Sequence, residues 1–475
     1  MNESPFPFAK KGEWDGYWWL PENPDNKVAG TLIYDGEGGL NLKLDNHFDG
    51  YNPDEVGEID EDESGNLGRL VRDKDLIFYD VIYGVADGIN ITIMDARDMS
   101  PIRFWRRTGS SYASDCKINA EKLILGRHVE NKNNKVFEGL RISVDNLGFW
   151  HSLGKEKQEN VFEGKHIELC NVNELEVSDG RDLFCRVLVD DGISLEEALE
   201  EARVIQNFVS FVTSQDSGIV WLQLEDAEDV SNSDNKCVSI ICSRMKIGEG
   251  HGWAGSNSDA RLVSEAFPFA ESLAKWFELV ACASAAVNMV MAIQLEDMPF
   301  IENDLLAVTG AAEVLHRNLG IRSYMYDDAE FKKMKKEIIN VVPAWYKETA
   351  MSNLRNDPSL RIRLMDLAEL VDKDNILCLV PDAEYWAKKT VKARNDLTHK
   401  GVAPKQSADE LLAIVDVTKT IIKLVILERL GVSKEYQNEI VKNYRQYINA
   451  ARRAGEWLTP PLEKITKETQ NNTDA

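Results

Sequence analysis

The sequence predicts an α+β multidomain protein, with an antiparallel β-rich front followed by an all-α helical bundle. Three observations carry this expectation: the length, a change in hydrophobic period, and a change in the sign of charge. At 475 residues the chain exceeds what one core fills, because single hydrophobic cores stop growing at roughly 250 to 300 residues. Up to about Ile247 the apolar residues come in short alternating runs, and after about Arg261 they recur with helical spacing. Residues 1–330 hold 30 Lys+Arg against 60 Asp+Glu, and residues 331–475 hold 25 against 20. A front at -30 therefore precedes a back at +5.

The predicted strands are Lys27–Tyr34, Leu40–Leu44, Leu76–Tyr83, Ile89–Met94, Val136–Val144, Leu183–Val189, Ile219–Leu224 and Cys237–Ser243. Gly, Asn and Asp separate them, the pattern of antiparallel pairing. Asp35-Gly36-Glu37-Gly38-Gly39 joins the first two, its glycines supplying the positive φ of a hairpin. One helix interrupts the strands, opening at the capping box Ser194-x-x-Glu197 and running to about Ser214.

Helices are expected near 262–295, 302–319, 328–352, 358–371, 382–400, 408–430 and 434–454. The implied division is a β-rich domain over 1–260, a connecting helix over 261–300, a helical domain over 301–432, and a C-terminal helix with a disordered tail over 433–475.

Composition narrows the function. The start, Met1 to Pro5, has no basic stretch leading into an apolar one, so the expectation is a cytoplasmic protein. The apolar segment between Glu278 and Glu296 carries Ser284, Asn288 and Gln294 and falls short of a membrane span, which needs about 20 residues. Seven scattered cysteines point to reduced thiols. Cys237 and Cys242 are the one near pair; no second pair stands at zinc spacing, so both read as strand residues. No metal and no cofactor is expected. An acidic chain is a poor broad binder of nucleic acid, so any RNA contact belongs to the C-terminal third.

The chemistry concentrates in 381–401, one complete helix with Asp382 as N-cap and Gly401 as its stop. At about 100° per residue, Arg394, Asn395, Thr398 and His399 share one face, and Trp386, Thr390, Ala393 and Leu397 form the opposite, core-facing stripe. Ala387 and Val391 continue the polar face upward, where a second copy could pack across a two-fold axis. The next helix opens at Ser407-x-x-Glu410 and is apolar nearly all round, the rigid support a site needs.

Arg394-Asn395-x-x-x-His399, followed by Gly401, resembles the R-N-x-x-x-H signature of HEPN ribonucleases. Asn303–Leu319 resembles the first HEPN helix, and Asn356 to Leu367 the segment before the signature helix. Gly16-Tyr17-Trp18-Trp19-Leu20-Pro21 and Lys27 to Leu32 resemble the front of ApeA-type anti-phage proteins, which join a β-rich domain to a HEPN domain. The resemblance implies metal-independent RNA cleavage by a homodimer built on the HEPN domain, acting in abortive infection when a phage-derived trigger arrives. Transfer RNA and messenger RNA, in single-stranded regions, both remain open as the substrate.

The residue types suit that reaction. An imidazole exchanges protons near neutrality, so His399 fits general acid or base. The guanidinium of Arg394 suits transition-state phosphate, and Asn395 would orient the phosphate or the ring. Thr398, Lys400 and Arg317 are candidate RNA contacts. Two alternatives stand beside this: a non-catalytic HEPN scaffold binding a nucleotide or partner, and a metal-dependent hydrolase, for which the sequence offers no ligand cluster.

Other signals read as structural. Asp60-x-Asp62-x-Ser64-Gly65 starts like a calcium loop but has Val71 at position twelve. Gly250-x-Gly252-x-x-Gly255 has dinucleotide spacing without a βαβ unit and reads as a linker. Glu313 and Arg317 read as a helix pair, His316 as a core neighbour with RNA contact as its alternative, and Lys332, Lys333, Lys335 and Lys336 as a solvated face with an RNA backbone as its alternative partner.

Overall fold

The structure, a computed structural model, describes residues 5–46, 48, 60–61, 67–68, 77–99, 116–153, 158–171, 183–226, 237–250, 268–295, 300–401 and 406–461. The chain divides into two compact units, Met1–Ser256 with Phe269–Glu271, and Asn257–Pro268 with Ser272–Ala475. Most of the calcium-like loop and of the glycine-spaced linker lies outside the described residues, Asp60, Glu61, Leu67, Gly68 and Gly250 excepted, and so does the tail beyond residue 461.

The first unit is the expected antiparallel sheet. Its strands are β1 (Gly12–Trp19), β2 (Val28–Tyr34), β3 (Leu40–Leu44), β4 (Asp60–Glu61), β5 (Leu67–Gly68), β6 (Phe78–Ala86), β7 (Ile89–Asp98), β8 (Cys116–Ala120), β9 (Lys122–Leu125), β10 (Phe137–Val144), β11 (Gln158–Phe162), β12 (Lys165–Asn171), β13 (Leu183–Ile193), β14 (Ile219–Asp226) and β15 (Cys237–Cys242). Thirteen run in the order β11-β12-β13-β10-β14-β15-β9-β7-β6-β1-β2-β3-β8, and β4 pairs with β5 separately. Along one edge of β7, Ile91–Met94 pairs with β9, and Arg97 and Asp98 pair with β8. That second pairing closes β7, β6, β1, β2, β3 and β8 into a barrel, which removes the exposed edge β8 would otherwise offer.

The period-2 pattern explains the barrel's inside. Leu40, Leu42 and Leu44 of β3 are buried while Asn41 and Lys43 between them face out, and they pair with Ala120, Ile118 and Cys116 of β8. Trp18 is fully buried and donates from Nε1 to the Gly30 carbonyl at 2.9 Å. Its ring lies so close to Gly84 that a Cβ there would stand 2.2 Å from Trp18 Cε3, so only glycine fits. The hairpin loop behaves as read: Gly36 and Gly38 take φ of 77° and 103°, and Asp35 Oδ1 accepts from the Glu37 and Gly39 amides.

Helix α1 (Leu195–Thr213) begins at the Ser194/Glu197 capping box, with both reciprocal bonds formed. It lies on β10 and β14, and its Phe208 stacks on Trp150 at 5.7 Å with Phe269 edge-on to both. Glu225 of β14, nearly buried, accepts from Arg141 of β10 and Arg186 of β13. Burial alone would raise its carboxyl, and the two guanidinium groups outweigh that and hold it low.

Among the described residues the helices after α1 are α2 (Phe269–Leu295), α3 (Ile301–Asn318), α4 (Asp328–Val341), α5 (Lys347–Asn353), α6 (Leu360–Leu370), α7 (Lys373–Leu379), α8 (Ala383–Lys400), α9 (Ala408–Arg429), α10 (Lys434–Asn443) and α11 (Arg445–Trp457). The expected helix over 328–352 is two helices. Pro343 forces Val342 into extended backbone (φ -75°, ψ 136°), and a 3-10 turn over Ala344–Tyr346 follows. The expected helix over 434–454 likewise breaks at Tyr444 into α10 and α11, and α11 packs along α9 as part of the bundle. The connecting helix α2 starts before Glu278, and Phe269–Ile293 is long and apolar enough to cross a membrane, with half of the window buried here. No disulfide joins any two of the seven cysteines.

Candidate active site

Helix α8 is fixed at both ends by local chemistry. Asp382 accepts from the Tyr385 amide at 2.8 Å, and Gly401 stops the helix at φ 70°, its amide donating to the Leu397 carbonyl at 2.9 Å. Beyond its chain neighbours and its own helix, no heavy atom of the described residues lies within 4 Å of a Cβ built on Gly401, and its φ of 70° is what favours glycine there.

The core stripe is as the wheel places it. Trp386, Thr390 and Ala393 are fully buried and Leu397 nearly so. Trp386 donates from Nε1 to Thr418 Oγ1 of α9 at 3.2 Å, and Lys389 pairs with Glu410 of α9 at 2.6 Å. That pairing corrects one expectation: Ser407 does cap the Glu410 amide at 3.1 Å, while the Glu410 carboxylate turns to Lys389. The half-used box becomes a tie between the signature helix and its support.

At the last turn, Arg394 is half-buried and Asn395, Thr398, His399 and Lys400 are exposed. Arg394 Nη1 reaches Asn395 Oδ1 at 3.4 Å, and the Thr398 hydroxyl donates to the Arg394 carbonyl at 3.0 Å. Among the described residues no hydrogen bond holds the His399 imidazole. Lys400 pairs with Asp396 on its own helix. Arg317 is exposed in the last turn of α3, and no described hydrogen bond or ion pair links it to the α8 face.

Two expectations change. Ala387, placed by the wheel on the face offered to a second copy, is fully buried within this chain, where α3 and α6 both pack against α8. Only the lower part of that face, from the half-buried Val391 to His399, stays open. His316 is also fully buried and cannot meet RNA. Its Nε2 lies 2.9 Å from Asp366 Oδ2, Arg363 Nη1 donates to its Nδ1 at 3.2 Å, and Arg322 holds the other Asp366 oxygen at 2.8 Å. Burial first, and the nearby guanidinium groups after it, push the imidazole below its ordinary range despite Asp366. Of the lysine cluster, Lys332 pairs with Asp328, and Lys335 caps the Met351 and Leu354 carbonyls.

A concave surface of about 730 Å³ between α7 and α10 is lined by Asp372, Asp374, Glu435 and Glu439 against Lys434 and Lys442. Its excess of carboxylates suits it poorly to a phosphate backbone. Among the described residues no three His, Cys, Asp or Glu side chains converge as metal ligands would.

A β-barrel unit in one part of the chain and, in the other, a helical bundle carrying Arg-Asn-x-x-x-His on a capped helix define a two-part protein with a HEPN-type back. Comparison with protein families agrees: residues 13–186 match the ApeA N-terminal domain 1, and residues 306–436 match the Apea-like HEPN domain. The chain thus joins an ApeA-type N-terminal domain to an Apea-like HEPN domain. No curated protein and no solved structure matches it.

Proposed function

We propose that this protein is a metal-independent endoribonuclease, an effector of anti-phage defence that works in the cytoplasm as a homodimer through its HEPN domain. The observation that carries this reading is the outward face of α8, where Arg394, Asn395, Thr398 and His399 stand together on a helix whose other side is locked into the core. The HEPN fold is in general a nuclease fold, and the residue types suit the reaction. A base takes the proton of the RNA 2′-hydroxyl, and the 2′-oxygen attacks phosphorus. The bond to the 5′-oxygen breaks, and an acid protonates that leaving oxygen. The products are a 2′,3′-cyclic phosphate and a 5′-hydroxyl. Arg394 steadies charge on the phosphoryl oxygens, and Asn395 orients the phosphate. One imidazole cannot serve both ends of the displacement at once, so the His399 of a second copy supplies the other group. Thr398, Lys400 and Arg317 border the path of the strand.

The acidic front, at -30 over residues 1–330, supports restraint: a negative domain disfavours RNA until a trigger relieves it. The central test is to express the chain and its His399→Ala variant and sequence RNA ends. Discrete 5′-hydroxyl ends, insensitive to chelator and absent in the variant, are the expected result. Unchanged cleavage by the variant removes the assignment, and absence of new ends with wild type favours a non-catalytic scaffold. Deleting residues 1–260 is expected to raise toxicity.

A further inference from the structure

Helix α9 is apolar nearly all round, as its sequence predicts, and one stripe departs from that. Asp416, Lys419, Thr420 and Lys423 fall at i, i+3, i+4 and i+7, one face of the helix. That face and a row of α11 including Tyr447, Asn449 and Arg453 line a cavity of about 240 Å³. Lys423 is 5% exposed, and among the described residues no hydrogen bond or ion pair reaches its Nζ. Burial, followed by the charge of Lys419, pushes its amine down to about 7.

Among the described residues no carboxylate pairs with this ammonium. Arg453 donates from Nε to Asp416 Oδ2 at 2.6 Å, so that guanidinium and carboxylate cancel. Lys419 donates to the Ile293 carbonyl at 2.6 Å. Tyr447 is buried, and burial pushes its hydroxyl up, so it adds no negative charge. A buried ammonium with no counter-charge is strongly unfavourable, and an anion in the cavity relieves it. The size sets the class: the space lies below the roughly 300 Å³ where organic-ligand pockets begin, yet admits a tetrahedral oxyanion. Thr420 and Asn449 add neutral donors to two cations, the mixture a phosphate uses.

We propose that the cavity between α9 and α11 binds a compact phosphate group, held by Lys423 and Lys419 with Thr420 and Asn449 donating to its oxygens. The site is separate from the α8 face, and the proposal does not depend on RNA cleavage.

Thermal unfolding of the full chain in phosphate-free buffer tests it, titrating inorganic phosphate against sodium chloride of equal ionic strength. Wild type is expected to gain several degrees, saturably, with phosphate alone. Lys423→Met is expected to melt higher than wild type without phosphate and to lose the phosphate response, and Asn449→Ala to weaken that response. Arg394→Ala is expected to keep it. No response in wild type, a full response in Lys423→Met, or a response abolished by Arg394→Ala overturns the proposal. Adenosine monophosphate at equal concentration identifies the source: a larger, Lys423-dependent shift assigns a nucleotide phosphate, and an equal or smaller one assigns free phosphate.

Discussion

The helical unit holds two pairings of arginine with histidine, and they differ in everything except composition. His316 and Arg363 meet at 3.2 Å in the core between α3 and α6, with Asp366 and Arg322 completing the network. Arg394 and His399 share the open end of α8, and no described hydrogen bond fixes the ring. The first pair has its polar atoms spent on the fold, and in the second the imidazole has no described partner. Environment, not residue type, separates a structural imidazole from a candidate catalytic one.

The sharpest way to break that contrast is to remove each histidine in turn. His399→Ala is expected to lower RNA cleavage by about 10³-fold or more while leaving the melting temperature within error. A melting shift as large as that of a core truncation would show the ring to be structural. Arg394→Lys keeps the charge and loses the planar fork, and single-turnover cleavage should fall by roughly 10- to 100-fold. His316→Ala is expected to behave in the opposite way. It strands a buried Asp366 and Arg363, costs about 3 kcal/mol in urea unfolding, and leaves cleavage per folded molecule unchanged.

pH sharpens the comparison further. Because the folded state holds His316 below its ordinary range, the unfolded chain binds a proton there first as acidity rises. The stability tied to His316 is thus complete above about 6.5 and is lost as pH falls through the lower folded value. Urea midpoints from pH 8 to 5 should fall for wild type and flatten for His316→Phe, and parallel curves would contradict the assignment. The smallest effect belongs to Lys400→Ala, whose exposed pairing with Asp396 is worth at most about 0.5 kcal/mol in the same unfolding assay.

Much of the candidate site could be read from sequence because its determinants are local. Asp382, Gly401 and the Trp386, Thr390, Ala393, Leu397 stripe lie within one helix, and caps and period suffice to place them. What escaped depends on distant partners. Asp366 lies 50 residues from His316, so nothing near His316 announced the network. Ala387 looked free because a helical wheel knows nothing of the helices that cover it. The Asp416 to Lys423 stripe was hidden by the apolar majority of α9. In the sheet, β11 and β12 escaped because QENVF and KHIELCN carry polar residues on both faces, and β1 because its tryptophans and glycines blur the alternation. The break at Pro343 was available in the sequence, and a strict proline rule finds it.

The two ties from α8 to α9, at Trp386 and Lys389, sit almost one turn apart and act like a key in a shaft. They set the azimuth of the helix. Slipping it by a single residue turns every side chain by about 100°: in one sense the imidazole leaves the outward face and charged Lys389 and Lys392 take the places of Thr390 and Ala393 in the packed interior, and in the other Arg394 takes the place of Ala393. Register at Thr418 and Glu410 therefore determines, from a distance, which groups solvent can reach at the far end.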